Sequence, residues 1–125
     1  MTWDIEFTDE FGDWFKGLTE VEQDKITAVV DMLEVAGPRL GFPQSSDVRK
    51  TKMRHMRELR IQIKGEPYRV LYAFDPRRTA ILLLGGNKAR IGDRWYEENI
   101  PRAERLYREH LETLRREGLI DGNKD

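Results

Sequence analysis

The sequence predicts an α+β domain in which an N-terminal αα-hairpin and a C-terminal helix pack on one small antiparallel sheet, in the order β-αα-βββ-α. Three observations carry this expectation. Apolar residues recur at i, i+3, i+4 and i+7 near the N-terminus and again in the last quarter of the chain, which is the helical period. Between residues 59 and 84 they alternate at period two or run unbroken, as strands do. The strand-like runs are joined by short turns, which suit antiparallel neighbours only. A chain of 125 residues has room for one domain and one core, and 38% hydrophobic residues suffice to build it despite 36% charged ones.

Trp3 to Phe7 alternates apolar and acidic side chains and predicts a short half-buried strand. Phe11, Trp14, Phe15 and Leu18 form one stripe of a short helix. Thr19 and Glu22 make a capping box that opens a second helix, with Ile26, Val29, Val30 and Leu33 on its inner face and a stop near Gly37-Pro38. Arg39 to Asp47 reads as a loop by its Gly, Pro and Ser content. Leu59, Ile61 and Ile63 alternate with polar residues in a strand, and Lys64 to Pro67 turns into Tyr68–Phe74, rich in β-formers. Asp75 to Arg78 turns again into Thr79–Leu84, apolar enough to be central or covered. Ala103, Leu106, Tyr107, His110, Leu111 and Leu114 give the last helix a broad docking face. Pro101 either begins this helix, with Asn99 as cap, or kinks a longer one that starts at Asp93. Residues 1–118 therefore read as a single domain and 119–125 as a flexible tail.

Most familiar chemistry is excluded. With no cysteine there is no disulfide, thiolate metal site or Cys nucleophile. No apolar run exceeds five residues, too short to span a bilayer, and Met1-Thr2-Trp3-Asp4 does not open a signal peptide, so a cytoplasmic protein is expected. Gly85-Gly86-Asn87-Lys88 lacks the spacing of a nucleotide-binding loop. His55 and His110 lie far apart, His110 on the apolar stripe as a packed or rim residue, and no metal ligands are assigned.

The charge distribution is more informative. Residues 49–94 hold thirteen Lys/Arg against four Asp/Glu, while residues 1–48 hold three against eleven and residues 95–125 six against eight. A segregated basic block on strand-like sequence is the footprint of a surface that meets phosphates. Its carboxylates, Glu58, Glu66, Asp75 and Asp93, are too few and too turn-bound for a convincing acid pair. Arg60 and Arg69 can project from paired strands onto one patch, with Lys88 and Tyr96 reaching its edge. Singly, each has an ordinary explanation: Arg60 pairs with Glu58 or Glu66, Arg69 is a surface cross-strand cation, and Tyr96 belongs to the core. Together they outline a site of exposed cations, whose removal should barely change stability.

Met56 to Arg60 (MRELR), Pro67 to Phe74 (PYRVLYAF) and Ile81 to Lys88 (ILLLGGNK) resemble the core of the RelE/HigB toxin superfamily, with the phage-derived HigB-like branch nearest in pattern. Arg94 to Glu98 and the following helix fit that branch's C-terminal segment, so the likeness covers roughly residues 3 to 112. It implies a RelE-like fold and the toxin of a type II toxin–antitoxin system, an endoribonuclease that cuts messenger RNA in the ribosomal A site with no metal and no cofactor. It also implies a cognate antitoxin, a small helix-turn-helix DNA-binding protein through which alone operator DNA is met, and no membrane partner. Matched by position, Arg60, Arg69, Lys88 and Tyr96 would be catalytic. Lys50, Lys52, Arg54, Arg57 and Arg94 would hold the backbone of messenger or ribosomal RNA, a salt-sensitive and sequence-independent task. Relatives of the RelE type place lysines where this chain has Met56 and Glu58, so the general base stays open among Glu58, Lys52 and His55. Two alternatives share the fold: a non-catalytic poison of DNA gyrase, and an inactive relative that serves as an antitoxin-binding or operator-regulating module.

Overall fold

Residues 2–49, 51–53 and 55–121 are described by the structure, a computed structural model. The chain runs β1 (Ile5–Phe7), α1 (Asp9–Lys16), α2 (Glu20–Ala36), a 3-10 turn (Gly37–Arg39), β2 (Ser45–Asp47), β3 (Arg57–Ile63), β4 (Glu66–Phe74), β5 (Ala80–Asn87) and α3 (Arg94–Arg116). One five-stranded sheet has the order β1-β5-β4-β3-β2. The expected α+β class and meander are present, and the sheet extends past the meander at both edges. β1 pairs with β5 in parallel, Ile5 opposite Ala80, which makes the sheet mixed. β2 lies inside the segment read as a loop and pairs antiparallel with β3, Ser45 opposite Leu59 and Asp47 opposite Arg57. Ser-Ser-Asp carries no strand signal of its own. Distant partners hold it: the buried Ser45 hydroxyl bonds the Tyr72 hydroxyl at 2.6 Å, and Arg57 donates to Ser45 Oγ at 3.1 Å and to the Asp47 carboxylate.

The local signals explain the remaining elements. Thr8 caps α1, its Oγ1 accepting from the Phe11 amide at 3.0 Å while donating to the Leu83 carbonyl of β5 at 2.7 Å. The Thr19–Glu22 capping box opens α2 as the sequence predicts. Lys64 and Gly65 both adopt positive φ, 52° and 79°, in the two-residue turn that joins β3 to β4 and matches strand twist. Pro101 lies inside a helix that already begins at Arg94, so of the two readings the longer helix is the observed one. Beyond Gly118 (φ 73°) the Leu119 amide donates to the Leu114 carbonyl at 2.9 Å, and Ile120 packs against the α3-side core. The last four residues of the expected tail lie outside the described residues.

The sheet is buried on both faces. Leu59, Ile61, Val70, Tyr72 and Leu82 pack under α1 and α2, whereas Leu71, Ala73, Ile81 and Leu83 pack under α3. Adjacent glycines on β5 let a helix close on each face. A Cβ at Gly85 would stand 2.1 Å from the Trp14 ring of α1, and one at Gly86 would stand 2.4 Å from Trp95 Nε1 of α3.

Candidate functional site

Two rows of side chains cross the sheet on the α3 face. Arg60, Arg69 and Gly86 are successive register partners on β3, β4 and β5; beside them run Ser46, Glu58, Leu71 and Leu84. Trp95 rests over Gly86, which places the next residue, Tyr96, within reach of Glu58 on β3. The β3 side of this face is left as an open cleft of about 530 Å³ whose lining includes Phe42, Ser46, Arg49, Glu58, Arg60, Lys88 and Tyr96.

Glu58 is the hub of the cleft. Only 6% exposed, it accepts from Tyr96 Oη at 2.5 Å and Ser46 Oγ at 2.9 Å, with Arg69 Nε at 3.5 Å and Arg60 Nη1 at 3.6 Å. Arg69 also directs Nε toward Tyr96 Oη at 3.3 Å and donates Nη1 to the Tyr68 carbonyl at 3.0 Å. At 5% exposure it is not the solvent-facing cation the sequence suggested. The cause is tertiary: Glu58 from the next row and the Tyr96 hydroxyl from α3 both meet its guanidinium. Lys88 Nζ lies 5.0 Å over the Tyr96 ring and 3.3 Å from Asp93 Oδ1. Burial, followed by the hydrogen bond to Glu58 and that carboxylate's charge, pushes the Tyr96 phenol up to about 12. Tyr96 is therefore protonated at physiological pH and serves as a donor.

The four residues matched as catalytic are thus brought together, Arg60, Arg69 and Tyr96 by direct contact with Glu58 and Lys88 through the Tyr96 ring. The residues assigned to RNA backbone are more scattered. Arg57 is committed to the β2 edge, donating to Asp47, to Ser45 Oγ and to the Leu40 carbonyl at 3.3 Å. Arg94 is exposed beside Glu98 at 3.7 Å. Lys52 extends an exposed side chain from a loop that its amide and the Thr51 hydroxyl fasten to Glu104 at 2.7 and 2.8 Å. Lys50 and Arg54 lie outside the described residues. Ser46, Arg49 and Phe42 were not singled out by sequence, because the segment that carries them has no periodicity. Phe42, a bulky apolar residue in a loop of small and polar ones, is the one signal there.

Asp75 forms a separate centre at the β4–β5 turn. It accepts from the Arg77 and Thr79 amides, from Arg77 Nη2 at 2.7 Å and from His110 Nε2 at 2.9 Å. Burial raises its carboxyl, but the His110, Arg77 and Thr79 contacts outweigh it and hold the group below the usual range. His110 is a rim residue of α3, tied to this turn. Among the described residues, no three His, Cys, Asp or Glu side chains group to hold a metal, and no helix is long and apolar enough to cross a membrane.

Residues 13–108 match the model of the phage-derived Gp49-like protein family. Over 91 residues the chain is 45% identical to HigB3, a candidate toxin of Mycobacterium tuberculosis (strain ATCC 25618 / H37Rv), covering 73% of this chain and 78% of that protein. It is 40% identical over 99 residues to HigB2, another candidate toxin of that strain, covering 78% of this chain and 49% of HigB2, so it spans about half the length of that relative. Its fold is similar to that of a mutant E. coli RelE toxin in the free state, with a TM-score of 0.57 at 14% identity over 82% of this chain and 98% of that one. It is also similar to the archaeal RelE–RelB complex from Pyrococcus horikoshii OT3, with a TM-score of 0.52 at 17% identity over 72% and 99% of the two chains. The family match runs through both arginine strands and the Tyr96 turn of α3, and the fold is RelE-like over the 82% of the chain that aligns: the chain belongs to the Gp49-like family, that of the HigB-type toxins.

Proposed function

We propose that this protein is the toxin of a type II toxin–antitoxin pair and that its cleft cuts messenger RNA on the ribosome. The observation that carries the reading is the convergence of Arg60, Arg69 and Tyr96 on the one carboxylate of Glu58, with Lys88 on the Tyr96 ring. Cleavage of RNA by its own 2′-hydroxyl needs a base for that hydroxyl, cations for the charge gathering on phosphorus, and an acid for the 5′-oxygen. In the resting protein Glu58 is occupied by its donors. A phosphate entering the cleft competes for the two guanidinium groups, which bind its oxygens in a fork. Glu58, so released, takes the 2′-hydroxyl proton as the 2′-oxygen–phosphorus bond forms. Tyr96 protonates the departing 5′-oxygen, and the proton on Glu58 returns to Tyr96 along their 2.5 Å hydrogen bond. The products are a 2′,3′-cyclic phosphate and a 5′-hydroxyl. Lys88, whose ion pair among the described residues is with an exposed Asp93, moves from there onto a non-bridging oxygen. The antitoxin partner is supported by the toxin names of the HigB relatives and by the RelB-bound state of the archaeal RelE.

One observation favours a second reading. Arg69 is buried and spent on Glu58 and Tyr96, as it would be in a relative that poisons a protein target such as gyrase without any chemistry. Inducing the chain without a partner and mapping transcript 5′ ends separates the two. Ribonuclease action gives new ends in translated RNA and spares untranslated RNA. Arg69→Ala lowers that cleavage by roughly 10²–10³-fold, the usual loss for one transition-state contact. Arg69→Lys rescues in part, since the ammonium keeps the charge and loses the fork. Growth arrest with unchanged 5′ ends sinks the ribonuclease reading and leaves the gyrase-type one.

A further inference from the structure

We infer that Phe42 is a stacking platform for an unpaired nucleobase beside the phosphate held by Arg60, a subsite that rests on the ribonuclease reading above and specifies its substrate as single-stranded RNA splayed open at the cut. Phe42 is 76% exposed, the most exposed of the large apolar side chains among the described residues, and it joins neither of the two cores. Its one ring contact among the described residues is the Arg60 guanidinium, 5.1 Å from the ring centroid. The same guanidinium stands 3.6 Å from Glu58 in the cleft, so ring and proposed phosphate site share a single side chain. Across the cleft the pattern repeats, with Lys88 over the Tyr96 ring at 5.0 Å. Glu58 thus sits between two cation–aromatic pairs, which is the layout a dinucleotide presents: two bases flanking one phosphate.

The chemistry of the walls selects the occupant. An apolar anchor from a protein partner seats in a mostly apolar pocket. Around Phe42 the cleft offers Ser46, Arg49, Glu58, Arg60 and Asp47, with Val48 as its one aliphatic neighbour in the lining. A nucleobase suits this setting better. Its π-face stacks on a phenyl ring, its edge can be met by hydroxyl, guanidinium or carboxylate, and its phosphate lies beside cations. Stacking accepts every base, so Phe42 adds affinity and placement rather than base selection.

Ribosomes programmed with a message carrying 2-aminopurine at each A-site position in turn, and 2′-deoxyribose at the cut to block attack, give a readout independent of cleavage. Binding of the wild-type chain should change the fluorescence at one position through stacking. Phe42→Ala should abolish that change and lower the cleavage of an all-ribose message by about ten- to a hundredfold, with an unaltered melting temperature. Phe42→Trp should retain both signals, and Phe42→Leu, apolar but without a π-face, should behave as Phe42→Ala. A fluorescence change that survives Phe42→Ala overturns the inference even where wild-type cleavage is normal. Full recovery by Phe42→Leu also overturns it, in favour of an apolar contact with a protein. A Phe42-dependent change without cleavage of the all-ribose message upholds the subsite and removes the ribonuclease reading.

Discussion

Arg69 and Glu58 form a buried ion pair bridged by the Tyr96 hydroxyl, and this sets how their variants must be read. Removing an exposed charge costs about 0–1 kcal/mol, but leaving one partner of a buried pair uncompensated costs about 3–5 kcal/mol. With the two groups at 5% and 6% exposure, Arg69→Ala should lower unfolding free energy by about 3 kcal/mol in urea titrations, against the small change the sequence suggested. Arg69→Met combined with Glu58→Leu should recover most of that stability and none of the cleavage, which separates the pair's structural role from its chemical one. A pH dependence follows from Tyr96. Its phenol is raised to about 12 in the folded chain against an ordinary value near 10, so the folded state binds more protons between those limits. The resulting stabilisation is full below about pH 10 and is lost as the pH rises to about 12. Thermal melts should show a steeper alkaline decline in the wild type than in Tyr96→Phe, and parallel declines would mean that the phenol is not perturbed.

At the scale of elements, β5 decides where both helices sit. Gly85 and Gly86 point to opposite faces, and each is filled by a tryptophan from the helix on its side. Overpacking of this kind costs about 1–3 kcal/mol, so Gly85→Ala and Gly86→Ala should destabilise comparably. Their functional effects should differ. Gly86→Ala pushes Trp95 outward, and Tyr96 follows on the same turn of α3, away from the 2.5 Å contact with Glu58. Gly85→Ala displaces Trp14 on the face away from the cleft. Single-turnover cleavage, measured where both variants are folded, should fall at least tenfold for Gly86→Ala and stay within about twofold for Gly85→Ala. Equal losses would show that the turn carrying Tyr96 is not positioned through Gly86.

Across the whole molecule, the basic block proves to be divided between two tasks. Arg57 pairs with Asp47 at the β2 edge, Arg77 reaches Glu6 at 2.9 Å, and Arg78 stacks on Trp3 at 5.0 Å, so part of the block fastens the acidic N-terminal segment to the sheet. Arg49, Arg60 and Lys88 line the cleft and Arg69 pairs with its Glu58, while Lys52 extends from an exposed loop. The divided use predicts a graded salt response. Lys52→Ala should weaken ribosome association and flatten its dependence on log salt by about one phosphate contact, leaving the cleavage rate of bound complexes nearly unchanged. An unaltered salt slope would remove Lys52 from the RNA-facing surface. Arg57→Ala should instead act on stability, by freeing β2.

The sequence by itself determined the elements whose cause is local. Capping at Thr19, period-3.6 stripes, period-2 strands and the short turns all act over a few residues, and they fixed the α+β order, the meander and the family pattern that carried Arg60, Arg69, Lys88 and Tyr96 into one group. Tertiary structure alone decided what depends on pairing across the sheet. Ser45–Asp47 became a strand because Tyr72 and Arg57 hold it, β1 joined in parallel by docking on β5, and Arg69 became buried where Glu58 and Tyr96 meet it. Glu58 shows the difference most plainly. In sequence it is one carboxylate among cations on an alternating strand, with Arg60 two residues on; in the folded chain, Ser46 of β2, Arg69 of β4 and Tyr96 of α3 converge on it as well, and no local pattern records residues that meet only through the sheet.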